Sequence, residues 1–496
     1  MLTKLINYLT PNYHHLKNRT VFFILFFVSF FLRLPFFFRD YVDRDESTFI
    51  LMGQSWVNGH LPYLELWDLK PPMNFLFFAG IIYFFGKSMI AIRFFGVVIV
   101  ALTAWYTYSI SNLVTSKKIG FWCAIFCVFL QSLFGSMQGV MSEHISVVFF
   151  MPGLYFLIKY KKWYWFLLAG LLMGLSTMVK LNMAYPIALL GLFLSYGYII
   201  KRNFRTGFLN MMMFSLGVIT IILCAILPYY LQGNFNLWWH SVIQAPLLYS
   251  NYGRSSIVIF LPLLLFLALL LWLAHKNNYI NFKTDTIQIL TLAIIGIVLS
   301  FIKGGRLNGH YLIQLYPSLI ILVFIFISAL PYLKRATYKP LSILLLLLIP
   351  MESYLEYVAI VKNKIEKGTF YNGEGIEVPR YISSNNLDYT NILFTEYHIG
   401  YWYLGTNPPS KTATHPSNTS RPELFQYAQN PRKTVMEEIQ FILEVKQPQL
   451  IVARQGDLLL FDTLIDENIY VNRYLKQHYQ PIKTIGKAII YQRLKR

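Results

Sequence analysis

The chain has 496 residues, of which 56% are hydrophobic and only 13% are charged. This is about half the charged fraction of an average soluble domain. Long apolar runs, such as VFFILFFVSFFL from Val21 and LSILLLLLIP from Leu341, are typical of segments that cross a lipid bilayer. Composition therefore excludes a soluble protein and predicts an α-helical polytopic membrane protein.

The net charge of +20 is concentrated in the apolar part of the chain. Residues 1–350 contain 26 Lys and Arg against 8 Asp and Glu, whereas residues 351–496 contain 17 against 15. Short basic loops on the cytoplasmic side account for such an excess by the positive-inside rule. The positive charge therefore predicts contact with membrane lipids and does not indicate a nucleic-acid partner.

The apolar stretches predict about eleven transmembrane helices. Basic loops follow alternate stretches, in phase with Lys4 and Lys17, so we expect a cytoplasmic N-terminus. The 14-residue stretch 73–86 is short for a crossing, and we interpret it as a juxtamembrane or re-entrant helix. The predicted crossings are 20–38, 89–110, 119–137, 144–159, 163–179, 183–200, 208–231, 255–275, 286–302, 310–331 and 339–357.

An odd number of crossings places the C-terminal part outside the cytoplasm. We expect the membrane itself to be the cell (inner) membrane. The predicted domains are a transmembrane domain, residues 1–357, with a first outer loop at 39–88, and an extracytoplasmic domain, residues 358–496. In the latter, β-type runs such as PQLIVAR from Pro448 alternate with helical patterns such as TVMEEIQFILEV. This alternation predicts a soluble α/β domain.

Acidic residues cluster in the predicted first outer loop, which holds six of the eight acids in the first 350 residues. They are either a solvated loop surface, or acids paired with Arg39, Arg44 and Lys70, or part of a functional site. These six are Asp40, Asp43, Asp45, Glu46, Glu65 and Asp68.

Several basic residues map near the outer face, where the positive-inside rule does not explain them. Cations at this level would suit a substrate with a lipid tail in the bilayer and a phosphate among the headgroups. Snorkelling at helix ends is the alternative for each residue singly. The set is Lys70, Arg93, Lys180, Arg254, Lys303 and Arg306.

Two further places carry candidate binding residues. Glu143 and His144, in GVMSEHIS, could bind an acceptor hydroxyl or a divalent cation, or they could simply begin a helix capped by Ser142. His240 follows two tryptophans, which are either membrane anchors or a surface on which a sugar stacks.

The ordered segments DRDESTFILMGQSWVNGHLPYLELWDLKPPMNFLFF, AIRFFG, GLSTMVKLNMAYP and GRLNGHYLIQLYP resemble glycosyltransferases of the GT-C fold that use polyprenyl-phosphate sugars. The resemblance, over roughly residues 20–330, is to the dolichyl-phosphate-mannose protein mannosyltransferases and the lipid A aminoarabinose transferases. It implies that Asp45 is the base, with Glu46 as its neighbour, and that basic residues hold the donor phosphate. The other family positions fall on Lys70, Arg93, Lys180, His310 and Tyr311.

One position departs from the aminoarabinose branch. That branch has an acid directly before its Lys-Pro, where this chain has Leu69, with Asp68 one residue earlier. A metal site that uses this acid is not predicted, and the sequence requires no cofactor.

We therefore expect an inverting glycosyltransferase that moves a sugar from a polyprenyl phosphate to a hydroxyl of a lipid, glycan or protein on the outer face. A carboxylate would activate the hydroxyl, and Lys and Arg would stabilise the departing phosphate. No Gly-rich nucleotide-binding loop is visible, consistent with a lipid-linked donor. The alternatives are a transporter or flippase of lipid-linked sugars and a non-catalytic membrane scaffold.

Overall fold

A computed structural model describes residues 16–40, 43–252, 254, 256–330, 347–457 and 459–494. The α-helices are α1 (Asn18–Arg33), α2 (Arg44–Val57), α3 (Pro72–Phe85), α4 (Met89–Val114), α5 (Lys117–Ser132), α6 (Ser142–Lys159), α7 (Trp163–Val179), α8 (Ala184–Ile200), α9 (Phe204–Leu231), α10 (Phe235–Trp239), α11 (Ala245–Tyr249), α12 (Leu261–Lys276), α13 (Asp285–Gly304), α14 (Tyr316–Ala329), α15 (Met351–Lys367), α16 (Glu374–Ser384), α17 (Ile399–Leu404), α18 (Val435–Gln440) and α19 (Ile465–His478). The strands are β1 (Leu393–Phe394), β2 (Leu450–Arg454), β3 (Tyr479–Ile485) and β4 (Ala488–Arg493).

The chain divides into two compact units, each built from separated segments. The first unit consists of Met1–Phe36, Arg93–Ala225 and Gly253–Glu356. The second unit consists of Phe37–Ile92, Ile226–Tyr252 and Tyr357–Arg496. The predicted boundary after residue 357 lies inside α15. The second unit thus combines the predicted first outer loop with the C-terminal part of the chain.

Apolar helices confirm an integral membrane protein. Within the described residues, six helical stretches are long and apolar enough to cross a membrane: Asn18–Phe38, Met89–Val114, Leu181–Ile200, Phe204–Leu231, Val258–Lys276 and Asp285–Gly304. Three shorter apolar helices are Pro72–Phe85, Trp163–Val179 and Tyr316–Ala329. The count of about eleven crossings stays a prediction, and part of the predicted crossing 339–357 lies outside the described residues.

Small residues let helices of the first unit approach closely. A Cβ on Gly170 of α7 would overlap the carbonyl oxygen of Phe214 in α9. Gly217, one turn further along α9, faces the backbone of α7 in the same way. Glycines at such crossings are common in membranes, where association depends on packing rather than on the hydrophobic effect. Residues Gly170 and Gly217 therefore fix the spacing of α7 and α9.

The C-terminal part of the second unit contains a mixed sheet, which confirms the predicted α/β domain. Its strand order is β1-β2-β4-β3, with β1 parallel to β2 and the other two pairs antiparallel. The runs at Pro448 and Ala488 form β2 and β4. The sequence did not predict β3, because most of its side chains are exposed and it lacks an apolar alternation. The buried residues Ile442, Ile451 and Val471 form the core between sheet and helices.

Helix α2 of the second unit begins inside the acidic cluster. The side chain of Asp43 accepts a hydrogen bond from the backbone N–H of Asp45 at 2.9 Å and thereby caps the helix. Gly53 lets α2 contact α3 at Phe78, with no room for a Cβ. The cap fixes the first turn of α2, which carries Asp45 and Glu46, and the Gly53 contact holds the middle of the helix against α3.

We expect Gly170→Ala to lower the thermal unfolding temperature in detergent, because the methyl group would overlap the Phe214 carbonyl. Overpacking of this kind typically costs about 1–3 kcal/mol. Gly197→Ala in α8 is the control, because no atom lies within 4 Å of its added Cβ. In the absence of a clash, alanine favours a helix by roughly 0.5–1 kcal/mol. Equal unfolding temperatures for the two variants would contradict the close packing of α7 and α9.

Candidate functional site

The Asp45 carboxylate lies between two donors of the second unit. Its Oδ2 is 3.3 Å from Nζ of Lys70, and its Oδ1 is 3.1 Å from Nε2 of His415. The side chains of Asp45, Lys70 and His415 are 22%, 18% and 12% exposed. They are therefore open enough for a substrate to reach and buried enough for the charges to interact strongly. We call Asp45, Lys70 and His415 the aspartate cluster.

Lys70 is held by its own local structure. Its carbonyl oxygen accepts a hydrogen bond of 2.6 Å from the hydroxyl of Tyr63. Burial raises the pKa of Tyr63 well above its usual value, so this hydroxyl remains a donor. Pro71 is the N-cap of α3 and Pro72 its first residue, which restricts the backbone on the other side of Lys70. The lysine ammonium also lies 5.4 Å from the ring centre of Phe49.

His415 is the functional candidate that the sequence did not indicate. It lies in NPPSKTATHPSNTSRP, a turn-rich segment 370 residues from Asp45, with no pattern that relates it to the acidic loop. The neighbouring Thr414 joins the segment to the rest of the unit. Its carbonyl accepts from Oγ1 of Thr48 in α2, and its hydroxyl accepts from the backbone N–H of Trp67, each at 3.3 Å. Tertiary contacts alone therefore bring His415 to Asp45.

Glu46 differs from Asp45 in its surroundings. It is 2% exposed, whereas the Asp45 side chain is 22% exposed. Successive residues of a helix point in different directions. Of the two, Asp45 is the one that a substrate can reach from solvent.

A second group of predicted residues meets in the first unit. Nζ of Lys180 is paired with Oε1 of Glu143, and Nε2 of His310 lies 3.8 Å from the same oxygen. The ammonium also lies 4.3 Å from the ring centre of Tyr311. Glu143 is 1% exposed and Lys180 9% exposed. We call Glu143, Lys180, His310 and Tyr311 the lysine cluster.

Polar residues next to the lysine cluster form a buried hydrogen-bonded network. The side-chain amide of Asn182 donates to Oγ of Ser300 at 3.1 Å and to the amide oxygen of Gln314 at 2.9 Å. Gln314 donates in turn to Ser146 at 3.3 Å. Lys180 is the C-cap of α7 and Glu143 belongs to the first turn of α6. The start of α6 and the end of α7 therefore meet beside this network, and they carry Glu143 and Lys180.

His144 does not pair with Glu143. Its Nδ1 accepts from the backbone N–H of Met141 at 3.2 Å, and its Nε2 lies 2.8 Å from the carbonyl oxygen of Gln131. Both ring nitrogens therefore bind backbone, one at the start of α6 and the other near the end of α5. The alternative prediction of a Ser142 cap is wrong, because the N-cap residue is Met141. The predicted substrate-binding role of Glu143 and His144 stays a prediction.

Two of the other predicted cations donate to backbone carbonyl oxygens. Arg93 is buried and donates to the carbonyl of Phe36 at 2.9 Å. Arg254 is exposed and donates to the carbonyl of Ile302 at 3.2 Å. Lys303 is exposed and Arg306 is half-buried. The Arg254 contact is the kind expected of a basic residue near a helix C-terminus, because Ile302 lies in the last turn of α13.

His240 is exposed, and its ring lies edge to face with Tyr427, 6.3 Å between centres. The predicted substrate-binding role of His240 stays a prediction. Within the described ranges, no group of three or more His, Cys, Asp and Glu side chains is placed to hold a metal ion. A divalent cation at Glu143 likewise stays a prediction.

Comparisons with known proteins agree on the fold. Residues 69–231, which include Lys70, Glu143 and Lys180, match the family model for dolichyl-phosphate-mannose-protein mannosyltransferase. No curated protein matches the chain significantly. The structure is similar to apo ArnT from Cupriavidus metallidurans, with a TM-score of 0.61 and 14% identity over 96% of this chain and 98% of that one. ArnT bound to undecaprenyl phosphate gives a TM-score of 0.59 at 14% identity, over 96% and 97%.

Such coverage of both chains establishes the fold. The protein therefore has the same fold as ArnT, and the predicted GT-C type, with a C-terminal sheet domain, is confirmed.

The lysine cluster generates a stability prediction. Lys180→Met should lower the unfolding temperature, because it leaves the Glu143 carboxylate buried without its ammonium partner. Breaking a buried ion pair in this way typically costs about 3–5 kcal/mol. The double variant Lys180→Met with Glu143→Leu should recover much of the loss, because neither charge remains. A single variant as stable as the native protein in a detergent melting experiment would show that the pair contributes nothing.

Proposed function

We propose that the protein is an inverting glycosyltransferase that moves a sugar from a polyprenyl phosphate to an acceptor hydroxyl. The observation that carries the proposal is the partly exposed Asp45 carboxylate, held between Lys70 and His415 in a chain with the ArnT fold. The family match over residues 69–231 and the undecaprenyl phosphate named for ArnT support the class of donor.

In the proposed reaction, Asp45 acts as general base. The acceptor hydroxyl gives its proton to Asp45 while its oxygen forms a bond to the anomeric carbon of the sugar. The bond between that carbon and the phosphate oxygen breaks on the opposite face, and the electron pair leaves with the polyprenyl phosphate. The leaving group is already stable as an anion, so activation of the hydroxyl is the step for which a carboxylate is needed.

Cations would stabilise the charge that develops on the departing phosphate. Lys70 and Lys180 are the candidates, one in each unit, and each is proposed separately. Lys180 is the better protected from water, and a phosphate that binds it would have to compete with the Glu143 carboxylate for the ammonium. His310 and Tyr311, which lie beside the same ammonium, are proposed as additional donor contacts.

The proposed location follows from the basic loops. The positive-inside rule favours an inner-membrane protein with its N-terminus in the cytoplasm and the aspartate cluster on the opposite face. The acceptor would be a lipid, glycan or protein on that face. A hexose or a pentose would suit the proposed chemistry equally, because the base contacts the acceptor rather than the sugar.

Undecaprenyl phosphate tests the donor site, because any such donor releases a polyprenyl phosphate whatever its sugar, and this is the one named for ArnT. We expect Lys70→Ala and Lys180→Ala each to weaken its binding in native mass spectrometry. One charge-assisted contact is typically worth about 1.5–3 kcal/mol, or roughly 10- to 100-fold in affinity. Lys201→Ala, which removes an exposed lysine paired with Asp285, is the control. Native affinity in both cluster variants would remove phosphate binding from these residues.

Asp45→Asn tests the base. It keeps the shape of the side chain but removes its basicity, so turnover should fall about 100- to 10,000-fold while undecaprenyl phosphate still binds. Mass spectrometry of cells that carry this variant should show loss of an envelope glycan and accumulation of the corresponding polyprenyl-phosphate sugar.

Asp43→Asn is the matched control for Asp45→Asn. Asparagine caps a helix as well as aspartate does, so this variant removes a charge two residues away without changing α2. Native glycans should persist. If cells with Asp45→Asn also keep native glycans and accumulate no lipid-linked sugar, the proposed enzyme function fails and a transporter or scaffold is favoured.

A further inference from the structure

His415 has a defined tautomer, because its two ring nitrogens meet different partners. Nδ1 lies 3.2 Å from the backbone nitrogen of Ser417 and 2.8 Å from the Ser417 hydroxyl. A backbone N–H can only donate, so Nδ1 must be the acceptor and carry no proton. The proton of the neutral ring is then on Nε2, which faces Oδ1 of Asp45 at 3.1 Å. His415 thus donates one hydrogen bond to the carboxylate without adding a second positive charge beside Lys70.

This arrangement suits a general base. A hydrogen bond to an ionised acceptor is stronger and more directional than a neutral one, so it fixes the plane of the carboxylate. A second full cation beside the carboxylate would stabilise the anion further and weaken it as a base. Burial lowers the pKa of the neighbouring His398 well below its usual value, so that ring is neutral as well.

The segment that carries His415 is anchored by two residues that precede the histidine, Thr412 and Thr414. Glu438 in α18 is fully buried and accepts hydrogen bonds from the Thr412 hydroxyl, from the Asn430 amide at 2.8 Å, and from the Arg432 guanidinium. Two residues further along the chain, Thr414 accepts hydrogen bonds from Thr48 and Trp67. A loop fixed at several points can hold an imidazole within the narrow geometry that catalysis requires.

We propose that His415 is a positioning residue, supplied by the C-terminal part of the chain, that orients the Asp45 carboxylate through its Nε2–H. The inference rests on the proposed function, in which Asp45 is the base. It assigns the C-terminal domain a part in the reaction centre, since the donor comes from a segment anchored to its helix α18.

The test exploits the different reach of glutamine and asparagine. The amide nitrogen of glutamine takes nearly the place of Nε2, whereas that of asparagine is nearer to Nδ1. We expect His415→Ala and His415→Asn to lower turnover about 10- to 100-fold, as a misplaced catalytic group does. His415→Gln should recover most of the activity. Turnover is measured on the full-length protein with the polyprenyl-phosphate sugar extracted from cells that carry Asp45→Asn, and undecaprenyl phosphate affinity should stay native throughout.

Unfolding temperatures separate positioning from a structural role. If activity follows the unfolding temperature rather than the presence of a donor at the Nε2 position, so that glutamine and asparagine behave alike, the proposal is overturned. His60→Ala removes an exposed histidine of the same unit and should leave both turnover and stability native.

A double variant shows whether His415 acts through Asp45. If it does, His415→Ala adds little to the loss already caused by Asp45→Asn, whereas independent residues would give multiplied losses. Full activity of His415→Ala with inactive Asp45→Asn would overturn the positioning role and leave the glycosyltransferase intact. Accumulation of no lipid-linked sugar with Asp45→Asn would instead refute the proposed function itself.

Discussion

A charged group that is removed from water must find a partner, and this requirement governs the polar interior of the protein. Arg33, which is 1% exposed in α1, donates to the carbonyl oxygens of Gln131, Met137, Gln138 and Gly139. Those carbonyls belong to the end of α5 and the turn after it, which have no helical donors of their own. A buried arginine there joins α1 to the connection between α5 and α6. Glu143 and Lys180 meet the same requirement with a side-chain pair.

The aspartate cluster satisfies the need of a charge for a partner in a different way. Asp45 stands in the first turn of α2, where the helix dipole favours a negative charge, and Asp43 occupies the cap. The carboxylate therefore has a helix terminus behind it, an ammonium on one oxygen and a neutral imidazole on the other. The contacts from Lys70 and His415 fix the orientation of this carboxylate, and the side chain remains 22% exposed.

The sequence predicted what local chemistry determines. Apolar length indicated the helices, and the short β-type runs indicated β2 and β4. Lys180, singled out by its position between two apolar stretches, is buried and paired with Glu143, whereas its contact with a donor phosphate stays a prediction. The family resemblance placed both Asp45 and Lys70 in the site, and the structure brings their side chains within 3.3 Å of each other. Their neighbour His415 could not be predicted, because its contact with Asp45 arises from the folding of a segment 370 residues away. Strand β3 was missed for a different reason, since it lies at the sheet edge with most of its side chains exposed.

The distribution of the aspartate cluster along the chain has a consequence for biosynthesis. Asp45 and Lys70 emerge from the ribosome early, whereas His415 and its anchor Glu438 follow the apolar helices as far as Ala329. A nascent chain that has already entered the bilayer therefore contains the acid and the lysine but lacks the imidazole that is proposed to orient the acid. The proposed reaction centre is complete only when the segment from His415 to Glu438 has been translated and has folded. Translation products truncated before this segment would accordingly remain in the membrane without the imidazole.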